Sequence, residues 1–399
     1  MAKEKLAVFI GDYFWSSIPY DGLPLHKYLS ESFDTDLIMF NQDIRLRKTK
    51  DKFNGCRFNF YNKNFVRSKN LVLIKDWNEF YAISRRYSLI LRGPHIGAKG
   101  RRPGVEFREL TRCKTAVVDI GGSDILHSDA DYYMVKGEEW IGHLNALPWK
   151  HVARPKPESV FVTGSPHYDP YHVETIPGHD RPLDRKGFYI KYGLSTNKGI
   201  ILVVPSNPSA HCKQFADNME SMNKLVRRAD REGYHVAVKT YPHDYVFYEK
   251  SNEYSGVTKK WVGGLDGVNT NKSMSMYDYI MKHVPGVFIV ESQDHFSVMM
   301  AADRVFNMSG SHIAWETIFT NATSYAVGFE GQPYYCGSAK LPKEVRFPDD
   351  KVNVHLKSVE DVVTSKLVSD KGNLEKFICR DFSLPNIKRA VERILVNDR

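Results

Sequence analysis

In the stretch Ala301-Ala-Asp-Arg-Val-Phe-Asn-Met-Ser-Gly-Ser-His-Ile-Ala-Trp-Glu316, a short apolar strand leads into a turn of small residues and then into a helix. The backbone N–H groups that open a helix have no acceptor within it, and the helix dipole is positive at that end. This turn therefore suits an anion such as a diphosphate, which makes Ser309, Gly310 and Ser311 candidate phosphate-binding residues. Glu316 could accept a hydrogen bond from a ribose hydroxyl. The alternative is that Ser309 only caps the helix and Gly310 only forms the turn.

The same alternation of strand and helix runs through the second half of the chain. Apolar runs at 199–205, 235–239 and 287–290 predict buried strands, and the patterns at 215–232 and 296–302 predict helices. In the first half, short apolar runs predict strands at 6–10, 36–40, 71–74, 88–91, 115–119, 132–135 and 159–163. Continuous apolar strands between helices are typical of parallel sheets that are covered on both faces.

A length of 399 residues favours two domains over one. We therefore predict an α/β protein with two Rossmann-like, doubly wound domains that face an interdomain cleft. The first domain is expected at residues 1–170 and the second at 193–375, with a linker at 171–192 that is rich in Pro, Gly, His and Asp. Residues 376–399 contain an amphipathic helix that could cross back to the first domain.

The composition excludes several classes of protein. With 42% hydrophobic and 26% charged residues the chain is expected to be globular rather than disordered. It has no apolar run of about 18 residues, so we expect a cytoplasmic protein without integral membrane association. The 5 cysteines are far apart and form no CxxC pair, so the sequence indicates neither a disulfide framework nor a structural zinc site.

Positive charge is concentrated in one segment. Residues 45–114 contain 19 Lys and Arg against 5 Asp and Glu, whereas the rest of the chain has 37 basic and 42 acidic residues. Such a segment would attract a polyanion, although a solvated basic face is the alternative. The candidate contacts to nucleic-acid phosphates are Arg45, Arg47, Lys48, Arg85, Arg86, Arg101 and Arg102.

Four segments occur in an order that resembles a known superfamily. They are Gly93-Pro-His95-Ile-Gly-Ala-Lys99-Gly, Val162-Thr-Gly-Ser-Pro166-His-Tyr-Asp169, Val238-Lys-Thr-Tyr-Pro242-His-Asp244, and residues 302–316. In this order they resemble motifs of the GT-B glycosyltransferases, in particular the branch of CDP-glycerol glycerophosphotransferases and UDP-N-acetylglucosamine 2-epimerase-like proteins. The resemblance covers residues 89–329. It departs at Tyr241, where those families have a histidine before the proline, while this chain has His243 after it.

The resemblance implies a nucleotide-sugar donor, a UDP-sugar in the first instance, that binds the second domain without a metal or a further cofactor. The donor-binding candidates are Gly164, Ser206, Lys239, His243, Ser309, Gly310, Ser311 and Glu316. An inverting transferase also needs a base for the acceptor hydroxyl. His95 is the first candidate because an imidazole titrates near neutrality, and Asp12 and Asp119 at strand ends could replace it or orient it. The alternatives are a structural histidine and aspartates that cap helices or turns.

The acceptor is expected to bind the basic first domain and therefore to be polyanionic. Two acceptors fit: hydroxymethylated pyrimidine in DNA, as modified by glycosyltransferases of bacteriophages, and a phosphate-rich glycan of the cell surface. The sequence favours DNA because it shows no amphipathic basic helix for membrane attachment. A glycosyl- or glycerophosphotransferase of cell-surface polysaccharide or teichoic-acid synthesis, a UDP-sugar 2-epimerase and a noncatalytic nucleic-acid binder remain as alternatives, and the oligomeric state stays open.

Overall fold

The computed structural model describes residues 4–10, 22–40, 70–93, 111–119, 130–146, 155–172, 181–205, 212–239, 276–291, 294–308, 313–327, 352–372 and 375–396. The chain divides into two compact units. The first unit consists of Met1–Arg181, Lys340–Arg346 and Leu374–Arg399, and the second of Pro182–Ala339 and Phe347–Asn373.

The first unit contains a sheet of seven parallel strands. The strands are β1 (Lys5–Ile10), β2 (Asp34–Phe40), β3 (Leu71–Ile74), β4 (Leu89–Arg92), β5 (Lys114–Val118), β6 (Tyr132–Val135) and β7 (Val160–Val162). Their order in the sheet is β3-β2-β1-β4-β5-β6-β7. The helices of the N-terminal part are α1 (Leu23–Ser30), α2 (Trp77–Ser84) and α3 (Glu139–Ala146), with 3-10 turns at Pro157–Ser159 and Pro166–Tyr171.

The second unit contains a sheet of six parallel strands. They are β8 (Gly199–Val204), β9 (Tyr234–Val238), β10 (Val287–Ile289), β11 (Arg304–Asn307), β12 (Thr323–Val327) and β13 (Asn353–Leu356), in the order β10-β9-β8-β11-β12-β13. Its helices are α4 (Arg185–Tyr192), α5 (Cys212–Arg231), α6 (Met276–His283), α7 (His295–Ala301), α8 (Ile313–Glu316) and α9 (Asp361–Thr364), and a 3-10 turn follows α8 at Thr317–Phe319. The prediction of two Rossmann-like, doubly wound α/β domains is confirmed.

The last helix, α10 (Ser383–Val396), completes the core of the first unit. Its buried stripe includes Leu384, Ile387, Val391 and Ile394, which share one apolar cluster with residues of β1, β2, β4, β5 and α1. The spacing of these four side chains is that of one helix face. The polypeptide therefore returns to its first unit after forming the second.

The segment expected as a linker, 171–192, contains the helix α4 of the second unit. Asp184 caps this helix by accepting a hydrogen bond from the N–H of Gly187, and Gly193 ends it with a φ of 62°. Phe188, in the middle of this helix, has a fully buried side chain. Gly187 lowers the helix propensity and the apolar stripe is short, so the sequence did not reveal this helix.

Within the described part of the chain, no helix combines the length and the apolar character needed to cross a bilayer.

Candidate functional site

Each sheet has a point where the chain reverses the direction in which it adds strands. In the second unit this point lies between β8 and β11, since β9 pairs with the other side of β8 and β12 with the other side of β11. Open α/β sheets bind ligands outside the carboxyl ends of the strands at such a point. Asn307 and Val204 are paired here, and the N–H of Met308 donates to the carbonyl of Val204 at 2.9 Å.

The chain positions predicted to bind the donor follow these strands. Ser206 follows β8, and Ser309, Gly310 and Ser311 follow β11, but all four lie outside the described residues, as does His243. Lys239 is described and directly follows β9. Its N–H donates to the carbonyl of Val203 at 3.0 Å, which places its backbone at the carboxyl edge beside the end of β8. The described ends of β9, β8 and β11 thus lie side by side, and in the sequence they are followed by three of the predicted donor segments.

Glu316 forms a buried pair with a histidine that sequence reasoning missed. Nε2 of His295 lies 2.5 Å from Oε2 of Glu316, and both side chains are almost fully buried. His295 is the first residue of α7, and Glu316 is the last residue of α8. Since an ionised carboxylate can only accept, Nε2 carries the hydrogen in the charged form of the pair.

The residue before His295 is held by helix α4. Asp294 accepts a hydrogen bond from Nζ of Lys191 at 2.6 Å and another from the hydroxyl of Tyr192 at 2.5 Å. The same hydroxyl accepts from the N–H of Glu291 at 3.0 Å. Burial raises the pKa of Tyr192, and the bond to Asp294 raises it further, so this hydroxyl keeps its proton and donates it.

The first sheet repeats the arrangement around its own reversal point, between β1 and β4. Asp12 follows β1 and His95 follows β4, and both lie outside the described residues. Asp119 follows β5, the next strand in the sheet. The strands that lead to the three predicted catalytic residues are therefore neighbours.

Asp119 is inaccessible and ion-paired. Its carboxylate lies 3.7 Å from Nζ of Lys136, which is itself buried and lies 4.3 Å from the centre of the Trp140 ring. The N–H of Asp119 donates to the carbonyl of Met134 at 2.9 Å. A carboxylate held by a buried cation is better suited to orienting a neighbour than to accepting a proton. Asp119 is thus held in place by Lys136, and its catalytic role stays a prediction.

Gly164 and Asp169 contact the C-terminal helix. Gly164 has a φ of 80°, and a Cβ added to it would lie 3.2 Å from Cβ of Ser383. Asp169 accepts hydrogen bonds from the N–H and the hydroxyl of Ser383, the first residue of α10. The carbonyl of Thr163 accepts from the side-chain amide of Asn386. The segment 162–169 thus docks α10, and a donor-binding role for Gly164 remains a prediction.

Two of the seven basic residues predicted to contact nucleic acid are described. Arg85 and Arg86 are exposed and precede β4, where the N–H of Ser88 donates to the carbonyl of Lys5, the first residue of β1. They therefore lie at the amino edge of the first sheet, opposite the carboxyl edge where a ligand is expected. The other five, Arg45, Arg47, Lys48, Arg101 and Arg102, lie outside the described residues. The described part of the basic segment gives no support to a DNA-binding surface.

His295 and Lys136 were not singled out from the sequence, although each had a local signal. His295 follows an aspartate at the start of a helix beyond a strand, and Lys136 directly follows β6. Their importance depends on partners distant in sequence, Glu316 and Asp119, which no local pattern indicates.

Solved structures of other proteins share this architecture across nearly their whole length. The UDP-GlcNAc 2-epimerase of Methanocaldococcus jannaschii, in complex with UDP-GlcNAc and UDP, has a TM-score of 0.53 and 11% identity, with 98% of this chain and 99% of that chain covered. HepE of Anabaena, in complex with UDP and glucose, has a TM-score of 0.50 and 10% identity, with coverage of 99% and 100%. The wall teichoic acid polymerase TagF, soaked with CDPG, has a TM-score of 0.50 and 9% identity, with coverage of 100% and 90%.

No protein-family model matches the sequence, and no curated protein matches it either. The likeness to solved structures concerns the fold, and it agrees with the order of the motifs in the sequence. The chain has the GT-B fold.

Proposed function

We propose that this chain is an enzyme that binds a nucleoside-diphosphate sugar at the carboxyl edge of the second sheet and transfers the sugar to a hydroxyl of a polyanionic acceptor. The observation that carries the proposal is the convergence at this edge. Strands β9, β8 and β11 are neighbours, and they lead to Lys239, to Ser206 and to Ser309–Ser311 respectively. The buried pair of His295 and Glu316 follows in the helices beyond β10 and β11.

The chemistry of these positions fits a diphosphate. Lys239 supplies a cation, and the small residues that follow β11 in the sequence are of the types that commonly bind anions through backbone amides. The solved structures with the same fold include complexes with UDP-GlcNAc and with UDP and glucose, which supports a UDP-sugar as the donor. Metal independence stays an expectation from the resemblance.

In the transfer step, the oxygen of the acceptor hydroxyl attacks the anomeric carbon of the sugar. The bond from that carbon to the diphosphate breaks, and its electron pair leaves with the nucleoside diphosphate. A base takes the hydroxyl proton, for which we propose His95, with Asp119 in the orienting role that its pair with Lys136 favours. Lys239 and the amides after β11 stabilise the charge that develops on the leaving diphosphate.

The acceptor is proposed to be a phosphate-rich polymer, because residues 45–114 hold 19 basic and 5 acidic side chains. DNA and a cell-surface glycan are both polymers of this kind. The described arginines at the amino edge do not support DNA, whereas the likeness in fold to a wall teichoic acid polymerase supports the glycan. We therefore place the surface glycan first and retain DNA as an acceptor that the experiment must test.

An epimerase that acts on a UDP-sugar is the second candidate. It is supported by the UDP-GlcNAc 2-epimerase of M. jannaschii, of which 99% is covered by this chain. An epimerase needs no polymer acceptor, so the basic segment would have no role in its reaction.

The deciding experiment incubates the full chain with labelled UDP-sugars and CDP-glycerol, alone and with each of two acceptors, a teichoic-type polymer and hydroxymethylated duplex DNA. Transfer of sugar from a UDP-sugar to the polymer is expected, with release of UDP, whereas transfer from CDP-glycerol alone, with release of CMP, would indicate a glycerophosphotransferase instead. A sugar isomer formed without any acceptor would establish the epimerase instead, and label in DNA alone would restore the sequence-based choice. Absence of both transfer and isomerisation with every donor would contradict the proposed function.

A further inference from the structure

We infer that Lys136 is a positioning residue for the proposed transfer: it keeps the carboxylate of Asp119 ionised and in place, and it is itself fixed by Trp140 and by the chain at 376–379. The inference rests on the proposed function, in which Asp119 supports the base. All of these residues belong to the first unit. Lys136 lies outside the four segments that resemble the GT-B motifs.

The two charged residues follow neighbouring strands of the first sheet. Asp119 directly follows β5 and Lys136 directly follows β6, and these strands pair in parallel. The N–H of Asp119 donates to the carbonyl of Met134 at 2.9 Å, so the backbone of Asp119 is bound to β6. Both residues therefore lie at the carboxyl edge, where open α/β sheets bind their ligands.

The ion pair between them is closed to solvent. Nζ of Lys136 lies 3.7 Å from Oδ2 of Asp119, and both side chains are almost fully buried. An opposite charge within about 4–6 Å favours the ionised form of a carboxyl group, and the attraction is stronger where water is excluded. Arg92, the last residue of the neighbouring strand β4, is a second buried cation at this edge. The charges at this edge therefore favour an ionised Asp119.

The ammonium group of Lys136 is also held from a second side. Nζ lies 4.3 Å from the centre of the Trp140 ring, which is within the range of a cation–π contact. Trp140 is buried in α3, and its indole N–H donates to the carbonyl of Phe377 at 2.9 Å. The ring and the carboxylate together determine where Nζ lies.

The chain at 376–379 fixes the backbone next to this ammonium group. The carbonyl of Lys136 accepts a hydrogen bond from the N–H of Cys379 at 2.6 Å. A Cβ on Gly137 would lie 2.3 Å from the carbonyl carbon of Phe377, so the two backbones can approach this closely only because residue 137 is glycine. Lys136 is thus bound through its backbone to one segment and through its side chain to two others.

Stability alone is a weak reason for such a pair. Burying two charges costs free energy, and apolar replacements of similar size are often as stable or more stable. A pair that only supported the fold would change the unfolding of the chain, but it would leave the turnover of the folded enzyme and its pH dependence unchanged. This difference separates the two roles experimentally.

The test measures kcat and the KM for the donor from about pH 5 to about pH 9, as release of UDP from labelled UDP-sugars in the presence of a teichoic-type polymer or hydroxymethylated duplex DNA. Lys136→Met removes the cation, and Lys136→Arg keeps it. Lys5→Met is the matched control, because Lys5 also pairs with an aspartate, Asp36, and lies over the ring of Tyr87, but at the amino end of β1. Thermal unfolding of each variant is recorded alongside.

Lys136→Met is expected to lower kcat about tenfold or more, because the carboxylate loses its fixed position. The KM for the donor should stay within about twofold, since the donor is proposed to bind the second unit. The acid limb of the kcat profile should move to higher pH by about one unit or more, because a carboxylate without its cation takes up a proton more readily. Lys136→Arg and Lys5→Met should retain most of kcat and the wild-type limb.

A double-mutant cycle shows whether Lys136 acts through Asp119. Asp119→Asn should lower kcat, and adding Lys136→Met to it should lower kcat by no more than about twofold further. Losses that multiply independently would overturn the positioning role, as would wild-type kcat in Asp119→Asn, or wild-type kcat and pH profile in folded Lys136→Met. These three results leave the proposed function intact, whereas a wild-type chain that releases no UDP with either acceptor would overturn both.

Should Lys136→Met alone not fold, Trp140 gives the second readout. Trp140→Leu removes the ring next to Nζ and the N–H that binds Phe377, whereas Trp140→Phe keeps a ring and loses only the N–H. Trp140→Leu is expected to lower kcat at least about threefold at unchanged KM, and Trp140→Phe should lower it less. Wild-type kcat in folded Trp140→Leu would overturn the inference. The comparison of Asp119→Asn with the double variant, which has neither charge of the pair, remains as a further check.

Discussion

Asp169 and Ser383 lie 214 residues apart in the chain and are joined by two hydrogen bonds in the first unit. The N–H of Ser383 donates to Oδ1 at 2.8 Å, and its hydroxyl donates to Oδ2 at 2.7 Å. A residue of the N-terminal half therefore caps the last helix of the chain. The first unit is completed only when that helix has docked.

The ionisation of Asp169 should make stability depend on pH. Burial raises the pKa of this carboxyl to about 7, and the hydrogen bonds from Ser383 only partly offset the effect. Since the folded state holds the proton more tightly than the unfolded chain, the free energy of unfolding contributed by this group falls as pH rises from about 4 to about 7, and is constant above that range. Urea denaturation of the wild type and of Asp169→Asn across this range measures the difference.

The Asp169→Asn variant isolates the effect of this one carboxyl, because the wild type and the variant have all other titratable groups in common. Relative to Asp169→Asn, the wild type should lose stability as pH rises through the window. A difference between the two chains that does not change with pH, or that changes in the opposite sense, would show that burial does not dominate at Asp169.

Truncation of the buried face of α10 should destabilise the first unit. Ile387 is fully buried in the apolar cluster of that unit, whereas Val396, on the same helix, is 65% exposed. Ile387→Ala is expected to cost about 2–5 kcal/mol and Val396→Ala less than about 0.5 kcal/mol. Denaturant unfolding followed by circular dichroism checks both values, and equal effects would mean that the helix does not pack as described.

Substitution by alanine should change the stability of the fold in opposite directions at two glycines, Gly137 just before helix α3 and Gly142 within it. A Cβ on Gly137 would lie 2.3 Å from the carbonyl carbon of Phe377, whereas one on Gly142 would meet nothing within 4 Å. Gly137→Ala is expected to cost about 1–3 kcal/mol or more through overpacking against the backbone. Gly142→Ala should stabilise the helix by about 0.5–1 kcal/mol. Melting temperatures of the two variants test the prediction, which fails if Gly137→Ala is tolerated.

Removal of the charge of Lys239 should weaken binding of the donor. Lys239→Met is expected to raise the KM for the nucleotide sugar about tenfold or more, since one charged contact to the diphosphate is lost. Lys224→Met is the control, because Lys224 is an exposed lysine of the same unit that pairs with Glu220 at 2.8 Å. Equal KM values for the two variants would remove Lys239 from the donor site.

Much of the fold could be predicted from the sequence because its strands are short, apolar and buried on both faces. The strands 71–74 and 132–135 were predicted with the bounds that the structure shows, and the helix 215–232 differs from α5 by a few residues. The strands β12 and β13 were missed, since each contains polar residues such as Ser324 and Asn353, which bond to each other in the sheet. Such a pair is recognisable only when both strands are in place.

The candidate site was predicted only where local sequence specifies it. Glu316 was named as a donor-binding candidate from the turn and helix around it, and that role stays a prediction. Its bond to His295 crosses between two helices, so the sequence could not indicate the bond. Gly164 was assigned to the donor, yet its positive φ and its approach to Ser383 give it a task in docking α10. Local motifs predict strand ends well, and they predict poorly which side chains meet beyond those ends.

The most direct test of the central claim is a crystal structure of the full chain with UDP. We expect the diphosphate beyond the ends of β8 and β11, and the ribose beside the pair of His295 and Glu316. Nucleotide bound at the first sheet, or side chains of the chain itself filling the space after β11 while UDP binds elsewhere, would contradict the account.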